Sequence, residues 1–134
     1  MASARCRYAL QAILEMSRAP AGAVLKVADI AAKPRIPAEY LVQVFMLLKT
    51  AGIVESVRGK EGGYRLSRPP GRITVADVVE AVEAEAHVAG GVSASLIDVL
   101  CRADEAAKTV LSEATFEDLV TKELERKEAV TYSI

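Results

Sequence analysis

The chain has no tryptophan, two phenylalanines and four tyrosines, a single histidine and two cysteines in 134 residues. With so few large aromatics, Ala, Val, Leu and Ile must fill the core, which favours close-packed helices over a β-sandwich. Cys6 and Cys101 stand 95 positions apart, a usage that suits a reducing compartment and not a disulfide framework. One histidine, with acids mostly on helical faces or at helix starts, supplies neither a nucleophile–base pair nor a paired-acid constellation, so no enzyme is expected. No apolar run reaches the ~18 residues of a membrane span. Residues 5–23 imitate a secretory signal, with Arg5 and Arg7 ahead of an apolar stretch and Ala19-Pro20-Ala21 at its end, but Gln11, Glu15 and Arg18 interrupt it. A soluble, cytoplasmic protein is expected, and the length suits one compact domain.

What is present is unevenly charged. Residues 1–73 carry 12 Lys/Arg against 5 Asp/Glu, a net of +7, and residues 74–134 carry 5 against 13, a net of −8. The overall charge of −1 conceals a basic half suited to a polyanion and an acidic half that would face away from it.

Apolar periodicity predicts six helical segments and one hairpin. A first helix over 5–17 places Ala9, Ile13 and Met16 on one side, with Leu10 and Leu14 beside them. A short helix over 27–33 ends at Pro34. A third, over 37–50, carries the stripe Leu41, Val44, Phe45 and Leu48, with Glu39, Tyr40, Gln43 and Lys49 on its outer face and Gly52 placed to cap it. Strands over 53–57 and 64–67 follow. Three Ser/Thr-x-x-Asp patterns, Thr74/Asp77, Ser95/Asp98 and Thr115/Asp118, mark later helix starts. From Leu96 the positions Val99, Ala103, Ala107, Val110 and Ala114 make a long narrow stripe, suited to a dimer seam or to packing within the chain. Residues 85–92, with Gly90 and Gly91, read as a linker.

Between the two strands lie Arg58, Gly59, Lys60, Gly62 and Gly63, with Arg65 and Arg68 just behind. Such a loop brings cationic side chains and backbone N–H groups to a phosphate backbone together. The same residues also fit an ordinary glycine hairpin with solvated charges. The fold class expected is mostly α, a winged helix-turn-helix with a two-stranded β-hairpin wing and a long C-terminal dimerisation helix. Residues 1–73 would form the DNA-binding region and 74–134 the helical dimerisation region of the same domain.

Residues along nearly the whole chain resemble the Rrf2 family of winged-helix bacterial regulators, which includes IscR, NsrR and CymR. The resemblance rests on Arg7-Tyr8-Ala9-Leu10, Val27-Ala28-Asp29-Ile30-Ala31, Ile36, Tyr40-Leu41 with Gln43, and Leu48-Lys49-Thr50-Ala51-Gly52-Ile53. It continues through Ser56-Val57-Arg58-Gly59, Gly62-Gly63-Tyr64-Arg65-Leu66, Pro70, and Ile73-Thr74-Val75-Ala76-Asp77-Val78-Val79. It implies a homodimer crossed through the long helix and bound to a two-fold-related DNA operator, most often as a repressor. Glu39, Tyr40 and Gln43 would then meet the major groove. Arg58 and Gly59, with the Gly62-Gly63 backbone, would enter the minor groove, and Arg5, Arg7, Lys60 and Arg65 would bind phosphates.

Three departures qualify the resemblance. Glu39 replaces a small hydroxyl residue, and Val42 stands where cluster-binding members often carry glutamate. The linker over 85–92 has no cysteine, whereas the best-known members hold an iron–sulfur cluster there with three. No cluster, zinc site or other cofactor is therefore expected, and His87 reads as a solvated loop residue. Cys6, among the arginines of the first helix, and Cys101 are candidate redox thiols, with buried apolar filler as the plainer role. A small-molecule or protein effector, or a protein–protein adaptor in place of a DNA binder, remains compatible with the residues.

Overall fold

Ser3 opens the first helix: its Oγ accepts from the Cys6 N–H at 3.1 Å, and α1 runs Ala4–Arg18. The computed structural model describes residues 3–32, 35–83 and 93–133. After α1 come α2 (Val27–Ala32), α3 (Ala38–Thr50), β1 (Val54–Val57), β2 (Gly63–Leu66), a 3₁₀ turn (Pro70–Arg72), α4 (Val75–Glu83), α5 (Ala94–Glu113) and α6 (Phe116–Ser133). This is the winged helix-turn-helix order, mostly helical, with one two-stranded antiparallel sheet. Pro34, His87 and the linker over 85–92 lie outside the described residues.

The segment that imitates a signal peptide is the central core helix. It buries Cys6, Ala9, Ala12, Ile13, Met16 and Ser17, and the buried Ser17 hydroxyl is satisfied by donating to the Ile13 carbonyl at 2.7 Å. Helix α3 turns Leu41, Val44, Phe45 and Leu48 onto it, the stripe read from the periodicity. The end of α3 is a Schellman motif: Gly52 adopts φ +78°, its N–H reaches Lys49 O at 3.0 Å, and the Ile53 N–H reaches Leu48 O at 3.0 Å. The buried Ile53 that follows closes the motif.

Two of the three capping patterns form. Asp77 N–H donates to Thr74 Oγ1 at 3.1 Å while Thr74 N–H donates to Asp77 Oδ2 at 2.9 Å, and Thr115 with Asp118 repeats the exchange at the start of α6. The third does not. Ser93, not Ser95, caps α5 by accepting from Leu96 N–H at 3.3 Å. Ser93 has no acid three residues on, so the pattern passes over it, and Ser95 falls inside the helix.

Ala114 leaves the helical path as well. It is extended, and its carbonyl accepts from Val75 N–H at 2.9 Å while Phe116 N–H reaches Ile73 O at 3.0 Å. Thr74 and Thr115 thus form an antiparallel bridge that pins the α5–α6 corner to the start of α4. The stripe expected to run from Leu96 to Ala114 ends with α5. One core cluster joins α1, α3, Ile73, Val78 and Val82 to the fully buried Phe116, and so draws on residues from both sides of position 73.

Candidate nucleic-acid interface

Burial of Leu41, Val44, Phe45 and Leu48 forces the opposite side of α3 outward, where Glu39, Val42, Gln43, Met46 and Lys49 are exposed. Tyr40, read from the sequence as an outward group, is only half exposed. Its ring meets Tyr8 edge-on, with centroids 5.2 Å apart and planes at 78°. Position 40 lies between the two faces, and an aromatic ring there gains more from the α1 surface than from water. The sequence marks Val42 only as a departure from the family resemblance and gives no sign of Met46, although 39, 42, 43 and 46 follow helical spacing; their apolar character gives them no outward role in a pattern.

The wing is built from strand register. Val54 pairs with Leu66, Glu55 with Arg65, Ser56 with Tyr64 and Val57 with Gly63. The connecting loop needs its glycines. Gly59 adopts φ +111°, a Cβ at Gly62 would collide with the Val57 carbonyl oxygen, and one at Gly63 would collide with that of Leu25. The Gly63 contact exists because Leu25, just before α2, bridges β2: Leu25 and Tyr64 exchange backbone hydrogen bonds at 2.8 Å in both directions. The Tyr64 ring stacks on Phe45 of α3, centroids 4.5 Å apart and planes 10° from parallel. Wing and α3 are therefore held as one body by an aromatic contact.

The cations of the loop divide by role. Arg58 and Lys60 are exposed at the tip, and among the described residues neither takes part in an ion pair. Arg65 is engaged across the hairpin, its Nε 2.6 Å from Glu55. Arg68 serves the fold: it donates to Arg72 O at 2.8 Å, to Gly52 O at 3.4 Å and to Asp77 Oδ2 at 3.1 Å. It thereby ties the end of α3, the wing exit and the start of α4 together. Burial raises the Asp77 carboxyl, but the Thr74 N–H and the Arg68 guanidinium outweigh it and hold the pKa below the ordinary value. At the start of α1, Arg7 is exposed and Arg5 half-exposed.

The two thiols lie in opposite surroundings. Cys6 is fully buried; burial, then the Glu83 charge and its hydrogen bond, push the thiol up to about 11. Arg5 pulls the other way and loses, so the acidifying effect expected from neighbouring arginines is reversed. Glu83 is itself kept low, chiefly because the Ser3 hydroxyl donates to it at 2.7 Å, which ties the start of α1 to the end of α4. Cys101 is exposed on α5. Among the described residues no three His, Cys, Asp or Glu side chains are grouped to hold a metal ion, and two cysteines per chain do not fit the thiolate set of an iron–sulfur cluster. No helix among them is long and apolar enough to cross a membrane.

Comparison with known proteins agrees with this geometry. The sequence profile of the Rrf2 family, described as an iron-dependent transcriptional regulator, matches residues 2–122. A Mycobacterium tuberculosis protein provisionally named an HTH-type transcriptional regulator is 35% identical over 127 residues, covering 87% of this chain and 79% of its own length. The HTH-type transcriptional regulator IscR of Cereibacter sphaeroides is 37% identical over 102 residues, 69% of this chain and 66% of its own. Among solved structures, CymR, the global cysteine regulator of B. subtilis, superposes with a TM-score of 0.74 at 29% identity, covering 91% of this chain and 97% of its own. IscR of T. potens superposes with 0.77 at 26% identity, covering 92% and 88%. With its helix order, basic hairpin wing and near-complete family match, this chain belongs to the Rrf2 family of winged-helix, DNA-binding transcriptional regulators.

Proposed function

We propose that the protein acts in the cytoplasm as a homodimer on a two-fold-related operator, repressing transcription by occupying it, and does so without an iron–sulfur cluster. The observation that carries the dimer is α5. None of its residues is buried, and Leu96, Ile97, Val99, Leu100 and Val110 are exposed large apolar groups on one helix. A contiguous apolar face of this kind marks an interface, and a symmetric chain-to-chain contact is the commonest way to cover it. Leu96, Val99, Ala103, Ala107 and Val110 form the seam. Residues 1–73 are the DNA-binding region, and 74–134 supply dimerisation.

In this reading α3 enters the major groove, led by Glu39 and Gln43, with Tyr40 bracing the helix from its flank. Arg58 leads the wing into the adjacent minor groove, and Gly59 with its positive φ and the close-packed Gly62 and Gly63 let the loop approach. Lys60, Arg5 and Arg7 meet phosphates, and Arg65 joins them by exchanging its Glu55 partner for phosphate. Two cysteines per chain, one of them buried and hard to ionise, support the cluster-free state.

Selection of sites from random duplex DNA at two salt concentrations, with iron measured on protein purified without oxygen, tests the reading. A palindrome with half-site centres ~34–36 Å apart, or a multiple, is expected, with no stoichiometric iron. Arg58→Ala with Lys60→Ala weakens binding and lowers the logarithmic salt slope by roughly 0.9 for each phosphate no longer neutralised. Enriched sites without two-fold symmetry overturn the dimer, and stoichiometric iron with a charge-transfer band overturns the cluster-free state.

A further inference from the structure

Nine large apolar side chains are exposed among the described residues, and two of them stand apart from the C-terminal helices. Val42 is 46% exposed and Met46 64% exposed, both on α3. They lie on the side opposite the buried Leu41, Val44, Phe45 and Leu48, and they flank Gln43 in the spacing 39, 42, 43, 46. Neither closes a gap in the fold: the core cluster and the partly buried residues packed against it include Tyr40 and Leu47 from the same helix but not Val42 or Met46. Exposed on the face that the proposed operator-binding reading turns toward DNA, they are placed to meet an apolar counterpart there.

The major groove offers one such feature. Base edges there present hydrogen-bond donors and acceptors, and the only apolar group is the C5-methyl of thymine. Neither a valine nor a methionine side chain can donate a hydrogen bond, so each gains most by covering a methyl. We infer that Val42 and Met46 are specificity-determining residues that recognise thymine methyl groups in the major groove, beside an adenine read by Gln43. The basic wing supplies the charge complementarity that brings a polyanion to this face. It is fixed to α3 through the Phe45–Tyr64 stack and presents Arg58 and Lys60 at its tip.

The helix also sets a spacing. Residues four apart are about 6 Å apart along the axis, close to two base-pair steps of ~3.4 Å. With α3 lying along the groove, the two methyls would belong to thymines about two steps apart in each half-site. The side chains differ in tolerance: valine is short and stiff, whereas methionine reaches further and adapts. Position 42 should consequently discriminate by geometry more sharply than position 46.

The inference rests on the operator-binding reading, and the test separates the two. The probe is the duplex enriched from random DNA, with each thymine replaced singly by deoxyuridine, which removes one methyl and keeps every hydrogen-bonding group. Fluorescence anisotropy titrations should show binding weakened about fourfold at one or two positions per half-site, the size expected for one buried methyl-sized group. Val42→Ala and Met46→Ala should each bind thymine and deoxyuridine alike at one of those positions, while binding random-sequence DNA as the unaltered protein does. Both side chains are exposed, so the variants should keep the wild-type circular dichroism and melting temperature. If the selected duplex is bound specifically but no thymine responds, or both variants still discriminate as the wild type does, this inference is overturned and the operator reading stands. If no sequence is enriched at all, the operator reading falls and takes the inference with it.

Discussion

Helix α1 buries six of its 15 residues, whereas α5, with 20, buries none. Both carry apolar residues at helical spacing, and both are capped by a serine accepting from the N–H three residues on. What differs is what lies opposite. α1 is packed on by α3, α4 and α6 within the chain, and its small residues Ala9 and Ala12 let those neighbours approach. α5 touches α4, with Lys108 3.0 Å from Glu80, and otherwise holds Leu96, Val99 and Val110 in the open. An amphipathic pattern thus announces that a face will be covered, and says nothing of whether the cover comes from the same chain.

The core side of this contrast is broken most severely at Phe45, which is fully buried and stacked on Tyr64. Phe45→Ala should lower the unfolding free energy by about 3–5 kcal/mol, read from chemical denaturation. Because the ring also joins the wing to α3, DNA affinity should fall even at temperatures where the variant stays folded.

On the α5 side, Leu96→Glu with Val99→Glu should leave the core helices packed and remove self-association. Burial of a Leu or Val side chain is worth about 1.5–3 kcal/mol, and two-fold symmetry doubles each loss, so dissociation should become at least about 10,000-fold easier. Sedimentation equilibrium over a concentration series measures it. A monomeric wild-type protein at high concentration would remove the dimer, and with it the explanation for α5.

The two cysteines sharpen the comparison at the smallest scale. Alkylation of the folded protein near pH 8 should modify Cys101 on α5 and spare Cys6 on α1. The folded-state pKa of Cys6 is raised from 9.0 to about 11, so its contribution to stability is complete below pH ~9 and is lost as pH rises through about 11. At 1.36 kcal/mol per unit the loss is at most about 2–3 kcal/mol. Thermal melts between pH 8 and 11 should decline more steeply for the wild type than for Cys6→Ala; parallel curves would show that the thiol ionises freely.

Legibility followed the range of the interaction. The buried stripe of α3, the Gly52 cap and the Thr74 and Thr115 boxes can be read because each is decided within four or five residues of backbone. Ser95 is the wrong cap because two serines compete for one helix start, and the acid three residues on favours the one that does not form. Arg68 reads as one more loop cation, yet its partners Gly52 and Asp77 lie 16 and 9 positions away. The Leu25–Tyr64 bridge and the edge contact of Tyr40 with Tyr8 join elements whose meeting no local pattern encodes. Cys6 depends on burial and on Glu83, a residue 77 positions further along the chain.

The order of helices and hairpin, the separation of a basic half from an acidic one, and the family are properties of the amino-acid sequence itself. They rest on periodicity, turn chemistry and net charge, which need no knowledge of what packs on what. Only the tertiary structure decided which cations are free and which are bound into the fold, turned Val42 and Met46 outward, and left α5 uncovered. Those outcomes depend on long-range packing, where one residue's surroundings are supplied by distant parts of the chain.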